Sequence, residues 1–403
     1  MRVLVFSSLF PNRLQPDSAV FIKNRMAAVQ EIDGVDVKVV APVPYFPSLP
    51  VSGRLFERWS VFSRIPEREW VGSLETWHPR YLVTPKIGMT FYGLAMYLGS
   101  RSLVRRLYRS FPFDIIDGHY IYPDGLAAIL LGRLFKVPVV LSARGTDINL
   151  YPQFSLIKRI IQFTLQQADK EIAVCDDLKR IMVSLGERPE NINVIPNGID
   201  PQKFYRIEKK QARESVGIPV ADRMLLSVGS LIERKGHHLL IEALGRLHQD
   251  QRLTWTTYII GQGEWHGKLA RLIAEYRLEG KVFLLGQVPN CDLVTWYNAA
   301  DIFFLGSSRE GWPNVISEAL ACGTPVVATP ANGVPEIITS DDYGIIVEKR
   351  EAESFCRELP RAFAKTWDYD RICRYGQNRT WTVVAREVYE TLNDVLMLKK
   401  SCS

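Results

Sequence analysis

Short runs of consecutive apolar residues recur along the chain, each followed by a longer stretch with helical spacing. Val3 to Ser8 opens the series, and Val35 to Ala41 follows after the helix-period segment Val20 to Gln30. Asp114 to His119, Val137 to Ser142, Ala173 to Cys175 and Ile192 to Pro196 continue it through the first half. Met224 to Val228, Thr256 to Ile260, Val282 to Leu285, Ile302 to Leu305 and Val326 to Ala328 repeat it in the second. Runs this short, bounded by turn residues, read as strands buried on both faces. With helices between them they predict parallel sheets built from doubly wound α/β units. The pattern restarts after the polar stretch Arg206 to Gly217, so two domains are expected, at 1–204 and 205–380. A last helical segment, 381–403, carries Trp381 and apolar residues as far as Leu398, which suits packing back onto the first domain. Pro42 to Ser110 is rich in Pro, Trp, Tyr, Phe and Arg and gives no legible element order.

Composition adds bounds rather than direction. A chain of 403 residues can bury two or three cores. Its net charge of +6 is modest and does not point to nucleic acid. The excess is concentrated, however: Val51 to Ser110 holds ten Lys/Arg against four Glu. The six cysteines are scattered, with no CxxC pair and no zinc spacing with His, which fits a reducing compartment. The opening residues lack the layout of a signal peptide. Ile87 to Ser100 is the longest stretch free of charge and proline and is too short to span a bilayer. A cytoplasmic protein, at most peripheral on the inner face of a membrane, is the expectation.

The stretch Arg309 to Thr329 carries the chemistry. Glu310-Gly311-Trp312 reads as a loop tip, Pro313 as the first position of a helix, and Asn314 to Cys322 as that helix, with Val315, Ile316, Ala319 and Leu320 on its apolar stripe. Gly323 stops it. Two carboxylates thus flank one otherwise nearly uncharged helix: Glu310 just before it and Glu318 within it. Glu310 can complement the helix dipole and Glu318 can be a solvated face. Alternatively, the helix N-terminus receives an anion such as phosphate while both Glu accept hydrogen bonds from sugar hydroxyls.

Glu, seven residues and Glu, followed by ALACGTPVVAT, resembles the donor-site signature of the retaining group 1 (family 4) glycosyltransferases. The resemblance implies the GT-B fold, two Rossmann-like domains facing a central cleft. It implies that Glu310 contacts the transferred sugar and Glu318 the nucleotide ribose. DGHYIYPDGLAA resembles the segment whose His, here His119, lies near that sugar. Arg144-Gly145-Thr146-Asp147 fills a slot usually written His-Gly-Ser-Asp. Gly229 to Gly236 resembles the segment whose Arg and Lys clamp the donor diphosphate; Lys235 matches, but Ser230 stands where the Arg is expected, and Arg234 is the cation that can replace it. The backbone near Val288 corresponds to a contact with the base. The implied donor set is therefore Arg234, Lys235, Val288, Glu310, Gly311, Trp312, Asn314, Val315 and Glu318, with His119, Lys235 and Glu310 catalytic. No cofactor or metal is implied, since the nucleotide-sugar is a substrate; Asp368-Tyr369-Asp370 reads as a solvated face far from these motifs. A different GT-B enzyme, such as an epimerase, and a catalytically silent sugar-nucleotide-binding subunit stay open as rivals.

A lipid-linked or saccharide acceptor is expected beside the donor, and an anionic membrane surface as a partner. The basic excess between Val51 and Ser110 is interleaved with Phe56, Trp59, Phe62, Trp70 and Trp77. Arg101, Arg105, Arg106 and Arg109 follow the uncharged run Ile87 to Ser100, which is long enough for an interfacial helix. An ordinary core helix with a solvated basic end fits the same residues.

Overall fold

A computed structural model of the chain describes residues 1–45, 61–83 and 88–401. Phe56, Trp59 and Ile87 lie outside the described residues. The strands, in chain order, are β1 (Arg2–Phe6), β2 (Asp36–Val40), β3 (Val43–Tyr45), β4 (Arg68–Val71), β5 (Leu74–Trp77), β6 (Arg80–Leu82), β7 (Ile115–His119), β8 (Val139–Ala143), β9 (Lys170–Ala173) and β10 (Ile192–Val194) in the first half. The second half has β11 (Met224–Val228), β12 (Thr256–Ile260), β13 (Val282–Gly286), β14 (Ile302–Leu305), β15 (Val326–Ala328) and β16 (Gly344–Ile346).

Two compact units result, one comprising Met1–Gly198 with Trp381–Ser403 and the other Ile199–Thr380. The division falls at 198/199 rather than at 204. Ile199 and Phe204 are buried in the second unit's core, and Ile199 bridges to Thr380.

The first unit carries an eight-stranded sheet in the order β10-β9-β8-β7-β1-β2-β5-β4. All its pairs are parallel except β4 with β5, a hairpin that closes one edge. β5 lies beside β2 with Lys38 opposite Glu75. This hairpin and the short pair β3–β6 come from the segment whose sequence gave no element order. Val3, Val5, Ile22, Met26 and Val29 are fully buried in one core cluster. The helix Trp381–Ser401 returns to the same core through Val384, Val388, Leu392 and Val395, a stripe at helical spacing, and packs on the helix Val20–Gln30. Burying each such side chain contributes about 1.5–3 kcal/mol.

The second unit has six parallel strands in the order β13-β12-β11-β14-β15-β16. Its inner strands β11 and β14 are buried on both faces, as their continuous apolar runs require: Met224, Leu225, Leu226, Phe303 and Phe304 have no accessible surface, whereas the edge strand β13 alternates, with Phe283 and Leu285 exposed. The helix Asn314–Ala321 begins one residue later than the sequence suggests, with Pro313 as its N-cap. Asp368 accepts from the Arg371 N–H and caps the helix Tyr369–Gly376, while Asp370 pairs with Arg206, so both carboxylates of that Asp-x-Asp have structural partners.

Candidate functional site

Among the parallel strands of each sheet the order has a switch point, and the residues of interest gather at those points. In the second unit the reversal lies between β11 and β14. Parallel sheets open a crevice beyond the carboxyl ends of their strands at such a switch. The loop after β11 supplies the turn Glu233–Lys235, and the loop after β14 supplies Ser307 to Trp312. Gly236, at φ +75°, lets the two loops touch, since a Cβ there would lie 2.0 Å from the Gly306 carbonyl oxygen. Arg350 fastens the same contact, donating from Nε to the Gly306 carbonyl at 2.9 Å and from Nη2 to the Glu233 carbonyl at 2.9 Å.

This close approach brings Lys235 and Glu310 together across 75 residues of sequence. Lys235 Nζ donates to Glu310 Oε1 at 2.5 Å, Ser307 Oγ donates to the same oxygen at 2.6 Å, and the Arg234 guanidinium lies 3.3 Å from Oε2. Arg234 also donates to the Arg309 carbonyl at 2.8 Å, and the Glu310 N–H donates to Asn332 Oδ1 at 2.9 Å. The side chains of Lys235 and Glu310 are only 14% and 10% exposed. Burial alone would push the Glu310 carboxyl up. Lys235 and Arg234 outweigh it and hold the group below the usual range, so Glu310 is ionised at neutral pH. Ser230 is exposed at the mouth of this loop, while Arg234 is the cation that shares Glu310 with Lys235.

Glu318 lies within the helix that follows. Its carboxyl accepts from the Tyr297 hydroxyl at 2.8 Å. Burial raises its pKa, and the Tyr297 bond opposes the rise. The two glutamates therefore differ: Glu310 is clamped by cations, and Glu318 rests on one neutral donor. Gly311 is buried and Trp312 is half-buried against the core. Asn314 and Val315 open the helix, whose first-turn N–H groups lack intrahelical carbonyls. Val288 packs on the core beyond the end of β13, two strands from β11. Sequence reading missed Ser307, Tyr297, Asn332 and Arg350 as supports of this site. Ser307, three residues before Glu310, and Asn332, which opens the Asn-Gly turn of residues 332–336, had local signals.

In the first unit the reversal lies between β1 and β7. His119 ends β7 and has no accessible surface. Arg144, just past β8, donates from Nη2 to His119 Nδ1 at 2.6 Å, and Asp117 Oδ2 lies 3.4 Å from Nε2. A guanidinium can only donate, so Nδ1 is the acceptor and the proton sits on Nε2. Burial lowers the His119 pKa to about 4, so the ring is neutral at pH 7. Arg25 pairs with Asp117 at 3.3 Å and donates to Ser142 at 3.0 Å. Arg144 Nη1 donates to Asn197 Oδ1 at 3.2 Å. Asp147 accepts the N–H groups of Ile121, Arg144 and Gly145, which fixes the loop after β8. Asp124, pushed up to about 7 by burial, accepts from both the N–H and the hydroxyl of Ser8. No site had been read into the loop after β1, so Ser8 is an addition.

Two halves of the chain match known families: residues 25–203 match Glycosyltransferase Family 4, and residues 208–379 match Glycosyl transferases group 1. A Bacillus subtilis glycosyltransferase named for teichuronic acid biosynthesis, TuaC, is 27% identical over 399 residues, covering 97% of this chain and 94% of that protein. The fold is similar to sucrose-phosphate synthase from Thermosynechococcus elongatus, with a TM-score of 0.78 at 16% identity over 99% of this chain and 100% of that one. It is also similar to Anabaena HepE, solved in complex with UDP, with a TM-score of 0.72 at 19% identity over 98% and 100%. The chain belongs to the group 1 (family 4) glycosyltransferases and has the GT-B fold. It is a glycosyltransferase.

Proposed function

We propose that the enzyme moves a hexosyl unit from a nucleotide-diphosphate sugar to an acceptor hydroxyl, retaining the anomeric configuration, in polysaccharide or glycolipid biosynthesis. The observation that carries this reading is the cluster of Lys235, Arg234 and Glu310 at the switch point of the second unit, with Glu318 on the adjoining helix. Two cations beside helix N-termini suit a diphosphate and its developing charge on departure. They also supply the charge a metal would, so the reaction is read as metal-independent and free of cofactors. Glu310 accepts hydroxyls of the transferred sugar, and Glu318 those of the ribose. The likeness to a protein solved with UDP supports a nucleotide donor, and the teichuronic acid relative supports a growing saccharide as acceptor. His119, neutral and fixed by Arg144, orients rather than protonates. A donor phosphate oxygen takes the acceptor proton. The enzyme is read as cytoplasmic, with a lipid-linked or saccharide acceptor at a membrane and no nucleic acid partner. Among the described residues no helix is long and apolar enough to cross a membrane.

Glu318→Ala is expected to weaken donor binding by roughly tenfold to a hundredfold, the cost of one hydrogen bond to a charged group. Glu310→Ala is expected mainly to lower turnover, since it removes the carboxylate read as contacting the transferred sugar while Lys235 and Arg234 remain for the diphosphate. Near-parental transfer by both variants, measured by donor titration and initial rates, would remove the assignment.

Proton NMR of the anomeric coupling in the product tests retention. A donor-matching coupling is expected; an inverted one rejects the mechanism. Release of free nucleoside diphosphate together with a new glycoside separates transfer from epimerisation and from silent binding.

A further inference from the structure

Three neighbouring helices cover one face of the first unit's sheet: Tyr92–Ser110, Leu126–Phe135 and Ser155–Gln167. The middle one packs against both of the others. None of the three contains an Asp or Glu. Their outward side chains include Arg101, Arg105, Arg109, Arg133, Lys158 and Arg159, all exposed. Arg106 is exposed too and pairs with Glu67. Arg133 lies over the Phe163 ring at 5.4 Å and so joins two of the helices into one surface.

Large apolar side chains stand out on the same surface. Phe91 is 66% exposed, Leu94 44%, Leu98 48%, Phe154 44% and Leu156 62%. All five lie at or near the N-terminal ends of the helices Tyr92–Ser110 and Ser155–Gln167. The arginines 101, 105 and 109 lie in the C-terminal half of the first. In a parallel α/β sheet each helix runs antiparallel to the strand it precedes, so those N-terminal ends sit on the edge where β7 and β8 finish. That edge also holds His119 and Arg144.

Trp77, one of the aromatic residues associated with the basic excess, does not share this surface. It lies between Lys38, 5.1 Å from its ring, and Arg68 at 5.5 Å, on the β4–β5 edge. The helix Tyr92–Ser110 itself has two faces. Gly93, Met96, Ser100, Leu103, Val104 and Leu107 are buried, and Gly99 leaves room for the Arg80 carbonyl.

We propose that this three-helix face docks the enzyme on an anionic lipid bilayer, with Phe91, Leu94, Leu98, Phe154 and Leu156 entering the headgroup–acyl boundary and the basic side chains holding the headgroups. Exposed leucines and phenylalanines beside cations, without any carboxylate on the helices, complement a surface that is anionic outside and apolar within. A polyanion such as RNA would match the charge and leave the apolar row without a function. The docking rests on the proposed function only in giving a reason for it, a membrane-borne acceptor; the surface itself is independent of the donor site.

The test is co-sedimentation of the full chain with vesicles of phosphatidylcholine alone or mixed with phosphatidylglycerol. Binding to the anionic vesicles is expected to exceed that to neutral ones by at least about tenfold at low salt, and to fall as salt shortens the screening length. Lys158→Glu/Arg159→Glu and, separately, Arg105→Glu/Arg109→Glu should each weaken it by about tenfold or more. Leu94→Ser/Leu98→Ser should weaken it without changing the salt dependence. Arg252→Glu/Arg271→Glu, exposed on the second unit, should leave it unchanged. A thermal shift with nucleotide-sugar, recorded on the same proteins, reports whether the donor site is intact, so loss of docking and loss of the proposed function are read separately. Equal binding to neutral and anionic vesicles, indifference to both face reversals, or tight binding to duplex RNA with none to vesicles would overturn the proposal.

Discussion

Asp117→Asn is expected to destabilise the first unit by about 3–5 kcal/mol, the usual cost of stranding one member of a buried ion pair. Arg25 and Asp117 are 1% and 0% exposed, and they pair at 3.3 Å. Arg144 adds a second guanidinium that bonds only neutral acceptors, Asn197 and His119. Removing the Asp117 charge therefore leaves two buried cations without their shared counter-charge. Burial opposes the Asp117 charge, yet His119 and Arg25 pull the group down to about 2. A carboxyl with a depressed pKa contributes stability that is present above its unfolded value, about 4. That contribution is lost as pH falls through about 2. The difference between parent and Asn variant should hence be constant from about pH 8 down to pH 5 and shrink in stronger acid. Urea unfolding at several pH values checks both statements. A variant within about 1 kcal/mol of the parent at pH 7 would mean that the pair contributes little more than a surface ion pair.

Lys235→Ala is expected to lower nucleoside diphosphate affinity by roughly tenfold to a hundredfold with little loss of stability. Glu310 keeps Arg234 and Ser307 as partners in that variant, so its carboxylate is not stranded. The diphosphate, in contrast, loses the cation lying deepest between the two loops. Lys235→Arg should recover part of the affinity, because charge rather than shape is what a point cation supplies. Arg234→Ala run in parallel separates the two cations. If it weakens binding as much as Lys235→Ala, Arg234 makes good the charge absent at Ser230. Calorimetric titration with the nucleoside diphosphate measures each. Parental affinity in both alanine variants would place the diphosphate elsewhere.

Parallel strands such as β1, β8 and β14 were legible because each is a short apolar run bounded by turn residues. β5 and β16, also parallel, were not, the first because Glu75 and Thr76 interrupt its apolar pattern and the second because it is only three residues long. The helix bearing Glu318 was legible from its stripe and from Gly323. The β4–β5 hairpin was not, because an edge strand such as Arg68–Val71 alternates in burial and carries charge. Lys235 and Glu310 could each be singled out locally, but their contact depends on Gly236 meeting Gly306, a tertiary event no local pattern announces. Tyr297 was missed for the same reason, and the bond from the Glu310 N–H to Asn332 likewise depends on tertiary contact. Local density misled in one place: the basic and aromatic residues of Val51 to Ser110 looked like one surface, whereas Trp77 and Arg68 belong to a sheet edge and Arg101 to Arg109 to a helix face.

The donor site on the second unit is the central claim, and a thermal-shift titration of the parent and Glu318→Ala with UDP-, GDP- and ADP-sugars tests it most directly. One base series should raise the melting temperature of the parent in a saturable way, and the same series should need at least about tenfold more ligand to do so in Glu318→Ala. No shift with any of the three, or equal titration curves for parent and variant, would contradict the claim.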